Sequence, residues 1–171
     1  MNVVLTGYRG TGKTTAGKIL AKKLKMAFID TDEELERLAK MRVPEIVGRH
    51  GWKHFRKFET KATNAALKRK NAVIATGAGA LVENKISKTK LKKALVVLLT
   101  AEKKEIEKRI KGSSRPSLTG KGMLKEINEV MKRREKKYLK ISDIVVDTTG
   151  ISPEKTAGLI AALLKTTKVK A

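Results

Sequence analysis

The sequence predicts an α/β protein built on a five-stranded parallel sheet with helices on both faces. Three observations predict it. Five short apolar runs alternate with longer amphipathic ones. The short runs are apolar at consecutive positions, as strands buried on both faces require. A glycine-rich turn separates the first apolar run from the first amphipathic one, at the rim where such sheets bind ligands.

Taken in order, "NVVLT" (2–6) is the first strand and "KTTAGKILAKKLK" (13–25) the first helix, with Ile19, Leu20 and Leu24 at helical spacing. "AFID" (27–30) is the second strand. "TDEELERLAK" (31–40) is a helix capped by Thr31, with acids in its first turn. "VPEIVGRHG" and "WKHFRKFETKATNAALKRK" (52–70) continue helically. "AVIAT" (72–76) and "ALVVLLT" (94–100) are strands and "EKKEIEKRIK" (102–111) is a helix. "GSSRPSLTGKG" (112–122) carries glycine, serine and proline and is a loop. "MLKEINEVMKRREKKYLK" (123–140) is helix, "DIVVDT" (143–148) strand and "SPEKTAGLIAALLK" (152–165) helix. No linker or repeat divides the chain. It therefore reads as a single domain over 1–171, with a helical segment at about 31–60 and a mobile loop at about 112–122.

Composition narrows the function. There is no cysteine, so neither disulfides nor thiol chemistry is available. The longest apolar runs are too short to cross a bilayer, and the N-terminus lacks a signal peptide's pattern, which implies a cytoplasmic protein. The 40 Lys+Arg against 17 Asp+Glu give a formal charge of +23. Such a charge attracts polyanions. The lysines are scattered, and no aromatic residues interleave them as a nucleic-acid stacking platform would need, so no nucleic-acid partner is expected.

The strongest motif is "GYRGTGKT" (7–14), which fits G-x-x-x-x-G-K-[ST] after a strand and opening a helix. Backbone N–H groups and the positive end of the helix dipole would cradle phosphates. Lys13 would reach the outer phosphates, and the Thr14 hydroxyl would ligate Mg²⁺. The motif implies ATP or GTP with Mg²⁺. The chain has no guanine-reading N-K-x-D and little room for motor machinery, which favours a small kinase.

In an acid-poor chain, Asp30 and Asp32 stand together where the second strand ends. One can face the metal, and the other can hold or deprotonate an attacking hydroxyl. Arg56 and Glu59, in "FRKFE", are spaced i, i+3. They either pair on the helix surface or Glu59 aims Arg56 at a substrate carboxylate. Arg134 in "KRREKKY" has the same choice. Gly77, Ala78 and Gly79 follow the third strand and offer close backbone approach, or form a tight turn. Arg115, on the 112–122 loop, can stabilise charge on a transferring phosphoryl group or simply be solvated.

Taken together, "GYRGTGKTT", "IDTDEELE", "FRKFE", "ATGAGA", "RPSL", "RREKKY" and "VDTTGISP" resemble shikimate kinase in order and spacing. That resemblance implies a nucleoside-monophosphate-kinase type of fold with a lid. It implies ATP-dependent phosphorylation of the 3-hydroxyl of shikimate, in aromatic amino-acid biosynthesis. A monomer is expected. By the same resemblance Gly10, Thr11, Gly12, Lys13, Thr14 and Thr15 form the phosphate site. Thr14 and Asp30 serve Mg²⁺, Asp30 through water. Asp32 holds the substrate hydroxyls and acts as base or orienter. Arg56 and Arg134 grip the shikimate carboxylate, beside Gly77, Ala78 and Gly79. Arg115 is the lid arginine, Arg109 lies near adenine, and Pro153 ends the adenine-loop pattern.

Two positions depart from the family's pattern. Ala78 replaces the middle of three glycines, where a methyl would crowd the ring if the backbone needed a positive φ. Ser117 replaces a leucine after Arg115-Pro116, which would loosen lid closure. Another small kinase, for gluconate or a nucleotide, is the alternative reading, and a basic nucleotide-dependent nucleic-acid-binding protein the more distant one.

Overall fold

The computed structural model describes residues 1–86, 88–111, 116–120 and 122–166. Its five strands are β1 (Asn2–Thr6), β2 (Ala27–Asp30), β3 (Ala72–Ala75), β4 (Ala94–Thr100) and β5 (Ile144–Asp147). All pair in parallel, in the order β2-β3-β1-β4-β5. The helices are α1 (Lys13–Leu24), α2 (Thr31–Ala39), α3 (Val43–Ala66), α4 (Ala80–Glu83), α5 (Lys88–Lys92), α6 (Lys103–Ile110), α7 (Met123–Ile141) and α8 (Pro153–Thr166).

The continuous apolar runs of the central strands β1, β3 and β4 bury both faces of the sheet because side chains alternate across it, whereas the edge strand β5 leaves Val145 exposed. Val3 and Leu5 pack with Leu20 of α1 and Ile160 of α8. Val4, between them, turns the other way, toward Ile74, Val96, Ala66 and Leu81. Register aligns the strand ends that matter: Leu5 and Asp30 both stand opposite Ala75. The chain segments leaving β1, β2 and β3 therefore emerge side by side at one carboxyl edge.

Two local expectations change. The helix after β2 is capped by Asp30, not Thr31: Asp30 Oδ1 accepts the N–H of Asp32 at 2.9 Å. Thr31 is buried, and its hydroxyl accepts the N–H of Gly77 at 3.0 Å, so it ties β2 to the segment after β3. The helical stretch from Val43 is also interrupted. Gly51 has φ 73° and ψ 171°, which breaks α3 into two pieces. The first piece starts where Glu36 and Glu45 accept the N–H groups of Val43 and Arg42. The second, from Trp52, packs Phe55 and Ala62 with Leu35 and Ile46. The short α4 and α5 carry too few residues to show a period in sequence.

Candidate active site

The phosphate loop occupies the bend between β1 and α1. Helix α1 has no side-chain cap, and Gly12 before it is left-handed at φ 86°. Its first N–H groups thus have no side chain competing for them. Lys13 Nζ donates to the carbonyls of Gly7 and Tyr8 at 2.9 and 2.8 Å. Thr11 is buried and bonds the Tyr8 carbonyl at 2.8 Å, turned into the loop rather than outward. Thr14 Oγ1 donates to Asp30 Oδ2 at 2.7 Å.

Lys13, Thr14 and Asp30 line a cavity together with Gly10, Gly12, Thr15, Asp32 and Arg109, whereas Thr11 does not reach it. Arg109 braces it from α6. Its guanidinium donates to Glu105, to the Gly10 carbonyl at 3.3 Å, and to Thr148 at 3.0 and 2.8 Å. Pro153 opens α8 and lines neither this cavity nor its neighbour.

The neighbouring cavity holds the arginines. It is lined by Asp32, Arg56, Gly79 and Arg134, with Val43, Trp52, Phe55 and Glu59, and walled by Arg9, Ala78, Pro116 and Leu118. Three residues, Arg9, Asp32 and Ala78, line both cavities and mark their junction.

Arg56 and Glu59 are not a surface pair. Glu59 is 1% exposed, accepts from Arg56 Nη1, and also accepts from Asn84 Nδ2 at 2.8 Å. Burial raises the Glu59 carboxyl above its ordinary value, although the Arg56 charge opposes the shift. The guanidinium of Arg56 also lies 5.6 Å from the Trp52 ring centre and 5.2 Å from that of Phe55. Helix spacing places Trp52, Phe55, Arg56 and Glu59 along one side of α3.

Arg134 is the largest fully buried side chain among the described residues. Its Nε donates to Glu83 Oε1 at 2.9 Å, while Nη1 and Nη2 have no hydrogen-bond partner. Burial would raise the Glu83 carboxyl, but the hydrogen bond and charge of Arg134 outweigh it and hold Glu83 below its ordinary value. A buried guanidinium with two orphaned donors beside a cavity fits a planar carboxylate. One turn further along α7, the Tyr138 hydroxyl donates to the Ala78 carbonyl, and burial pushes its pKa up to about 12.

The segment after β3 passes close to these groups. A Cβ on Gly77 would sit 2.6 Å from Glu59 Oε1 and 2.7 Å from Asp32 Oδ1. One on Gly79 would sit 2.5 Å from Arg56 Nη1. Ala78 is not among the residues with positive φ, so its methyl is accommodated without strain.

Asp32, Arg56, Arg134, Ala78 and Gly79 thus meet in one cavity, and Lys13, Thr14, Thr15, Asp30 and Arg109 in the one beside it. Arg115 lies outside the described residues. Sequence reasoning passed over Arg9, at a variable position of the loop motif. It also passed over Glu83, whose partner is 51 residues away. No short-range spacing could have found Glu83.

The family model for shikimate kinase matches residues 9–165. A shikimate kinase from Caldanaerobacter subterraneus subsp. tengcongensis is 40% identical, with 91% of each chain covered. One from Syntrophus aciditrophicus is 36% identical, covering 96% of this chain and 89% of the relative. Among solved structures, the shikimate kinase of Acinetobacter baumannii in complex with shikimate superposes with a TM-score of 0.91. It is 30% identical and the match covers 99% of this chain and 95% of that one. With a relative this similar across almost its whole length, and a family model matching residues 9–165, which include every residue lining the two cavities, the chain belongs to the shikimate kinase family.

Proposed function

We propose that the chain transfers the γ-phosphoryl group of ATP to the 3-hydroxyl of shikimate, forming ADP and shikimate 3-phosphate. Family membership supports an ATP-using kinase of this specificity. The observation that carries the site assignment is that Asp32 lines both cavities. A hydroxyl held there faces a phosphate loop on one side and two guanidinium groups on the other.

In this reading the loop N–H groups and Lys13 hold the phosphates. Arg56 and Arg134 take the substrate carboxylate bidentately, with Glu59 and Glu83 fixing their orientation. Asp32 accepts the hydroxyl's hydrogen bond and takes its proton as the oxygen attacks phosphorus. Arg109 steadies the loop from the nucleotide side. Arg115 is assigned to the transferring phosphoryl from the sequence alone. Thr14 and Asp30 offer hard oxygen donors, and no cluster of three metal-ligating His, Cys, Asp or Glu side chains exists among the described residues. That set suits Mg²⁺, which takes one or two carboxylates and shares the substrate phosphates. The ion, when bound, neutralises phosphate charge.

We also assign the protein to the cytoplasm, as a monomer. No helix among the described residues is long and apolar enough to cross a membrane. The test is ADP release from Mg·ATP over a panel of hydroxy acids. Shikimate should give turnover and gluconate none; turnover with gluconate alone would overturn the reading. Asp32→Asn should lower kcat by about a hundredfold or more while ATP binding persists. Near-intact turnover would remove Asp32 from the role.

A further inference from the structure

The site as assigned leaves one buried acid unexplained. Glu126, in the first turn of α7, is 1% exposed, in a chain with only 17 acids. Its carboxylate accepts from Arg9 Nη2, from the Ser117 hydroxyl, and from the N–H groups of Leu118 and Thr119 at 2.8 and 3.3 Å. Ser117 Oγ in turn accepts the Gly120 N–H at 2.9 Å. A buried carboxylate persists only when its charge and lone pairs are met, and here one cation and three neutral donors meet them.

The partners belong to two pieces of the site that no backbone pairing joins among the described residues. Arg9 is in the phosphate loop and lines both cavities. Ser117, Leu118 and Thr119 belong to the segment whose Pro116 and Leu118 wall the acceptor cavity. Neither Arg9 nor Glu126 has a part in holding phosphate in the motif's chemistry. Ser117, which departs from the apolar family residue, is here a polar link to Glu126.

We propose that Glu126 is a positioning residue that fastens the outer wall of the acceptor cavity to the phosphate loop through Arg9, Ser117 and the Leu118 and Thr119 amides. By neutralising Arg9, it also keeps that guanidinium at the junction and away from the substrate carboxylate that Arg56 and Arg134 receive. The effect on catalysis rests on the shikimate reading above. The tie itself does not.

Two readouts separate them. The first is amide hydrogen exchange at Leu118 and Thr119 in the substrate-free protein. Glu126→Gln, nearly isosteric but uncharged, should speed exchange at both by about tenfold or more. Arg9→Met should do so to a smaller degree. Unchanged exchange in Glu126→Gln would overturn the tie whatever the substrate. The second is steady-state kinetics. Glu126→Gln should raise the shikimate KM by about tenfold and leave the ATP KM within about twofold. The Arg9→Met/Glu126→Gln double variant should be no worse than the poorer single variant, because both break one linkage. Equal rises in both KM values, or effects that multiply, would overturn the positioning role. If Glu126→Gln does not fold, Ser117→Ala removes one partner and is judged by the same two measurements. If the wild-type protein leaves shikimate unphosphorylated while the exchange difference stands, the substrate reading fails and the tie survives.

Discussion

At the residue scale, Arg56 shows how one side chain is made specific. It is held by a buried carboxylate, flanked by two aromatic rings, and approached by a glycine with no Cβ to spare. Arg56→Lys keeps the charge and loses the planar fork. Initial-rate kinetics should show the shikimate KM rising about tenfold or more with the ATP KM nearly constant. An equal rise in both would sink the assignment. Gly79→Ala tests the same group from the other side. The new methyl would overlap the guanidinium, which is the flexible end of its side chain, so the fold should survive with little change in Tm. The shikimate KM should again rise by about tenfold, since the guanidinium must move. Ala78, one residue earlier, carries its methyl without this conflict, which is why a G-A-G sequence is tolerated here.

At the element scale, the break in α3 sets where that face points. Gly51 adopts a backbone region open almost only to glycine, and a Cβ there would meet nothing within 4 Å. Gly51→Ala should therefore cost about 1–3 kcal/mol through backbone strain alone. Thermal unfolding would measure it, and an unchanged Tm would show that the helix can straighten freely. The five strands and the long helices were legible because their apolar periods are set by local burial. The phosphate loop was legible because its chemistry needs contiguous residues. The break was not, because a glycine inside a helical pattern is compatible with either a kink or a continuous helix. The cap was misplaced by one residue because Asp30 and Thr31 are both good capping side chains. Only the third dimension shows that Thr31 is claimed by Gly77. The roles of Glu83 and Glu126 were illegible for a related reason: each acts on residues from distant segments.

At the scale of the whole molecule, stability depends on how these few acids are held. Glu83 and Glu126 both sit below their ordinary value of 4.5. Burial opposes this in each. For Glu83 the bond and charge of Arg134 prevail, and for Glu126 the Ser117 bond, the Arg9 charge and two backbone N–H groups. A depressed folded pKa contributes stability that is complete above 4.5 and is lost as pH falls through the folded value. Glu59 has the opposite sign: its contribution is complete below 4.5 and is lost as pH rises through its raised value. The protein should thus lose stability in acid, and the Tm of Glu83→Gln should fall less steeply than wild type below pH ~4.5. Parallel slopes would show that the Arg134–Glu83 pair does not titrate with folding.

The ammonium of Lys13 is bonded to two carbonyls of its own loop. There it acts as an internal solvent for two backbone oxygens of the loop. In the proposed reaction the same ammonium would be shared between these carbonyls and the nucleotide's phosphates. Replacing this lysine by an apolar residue would leave both carbonyls without this donor and so disturb the loop itself, apart from any effect on phosphate.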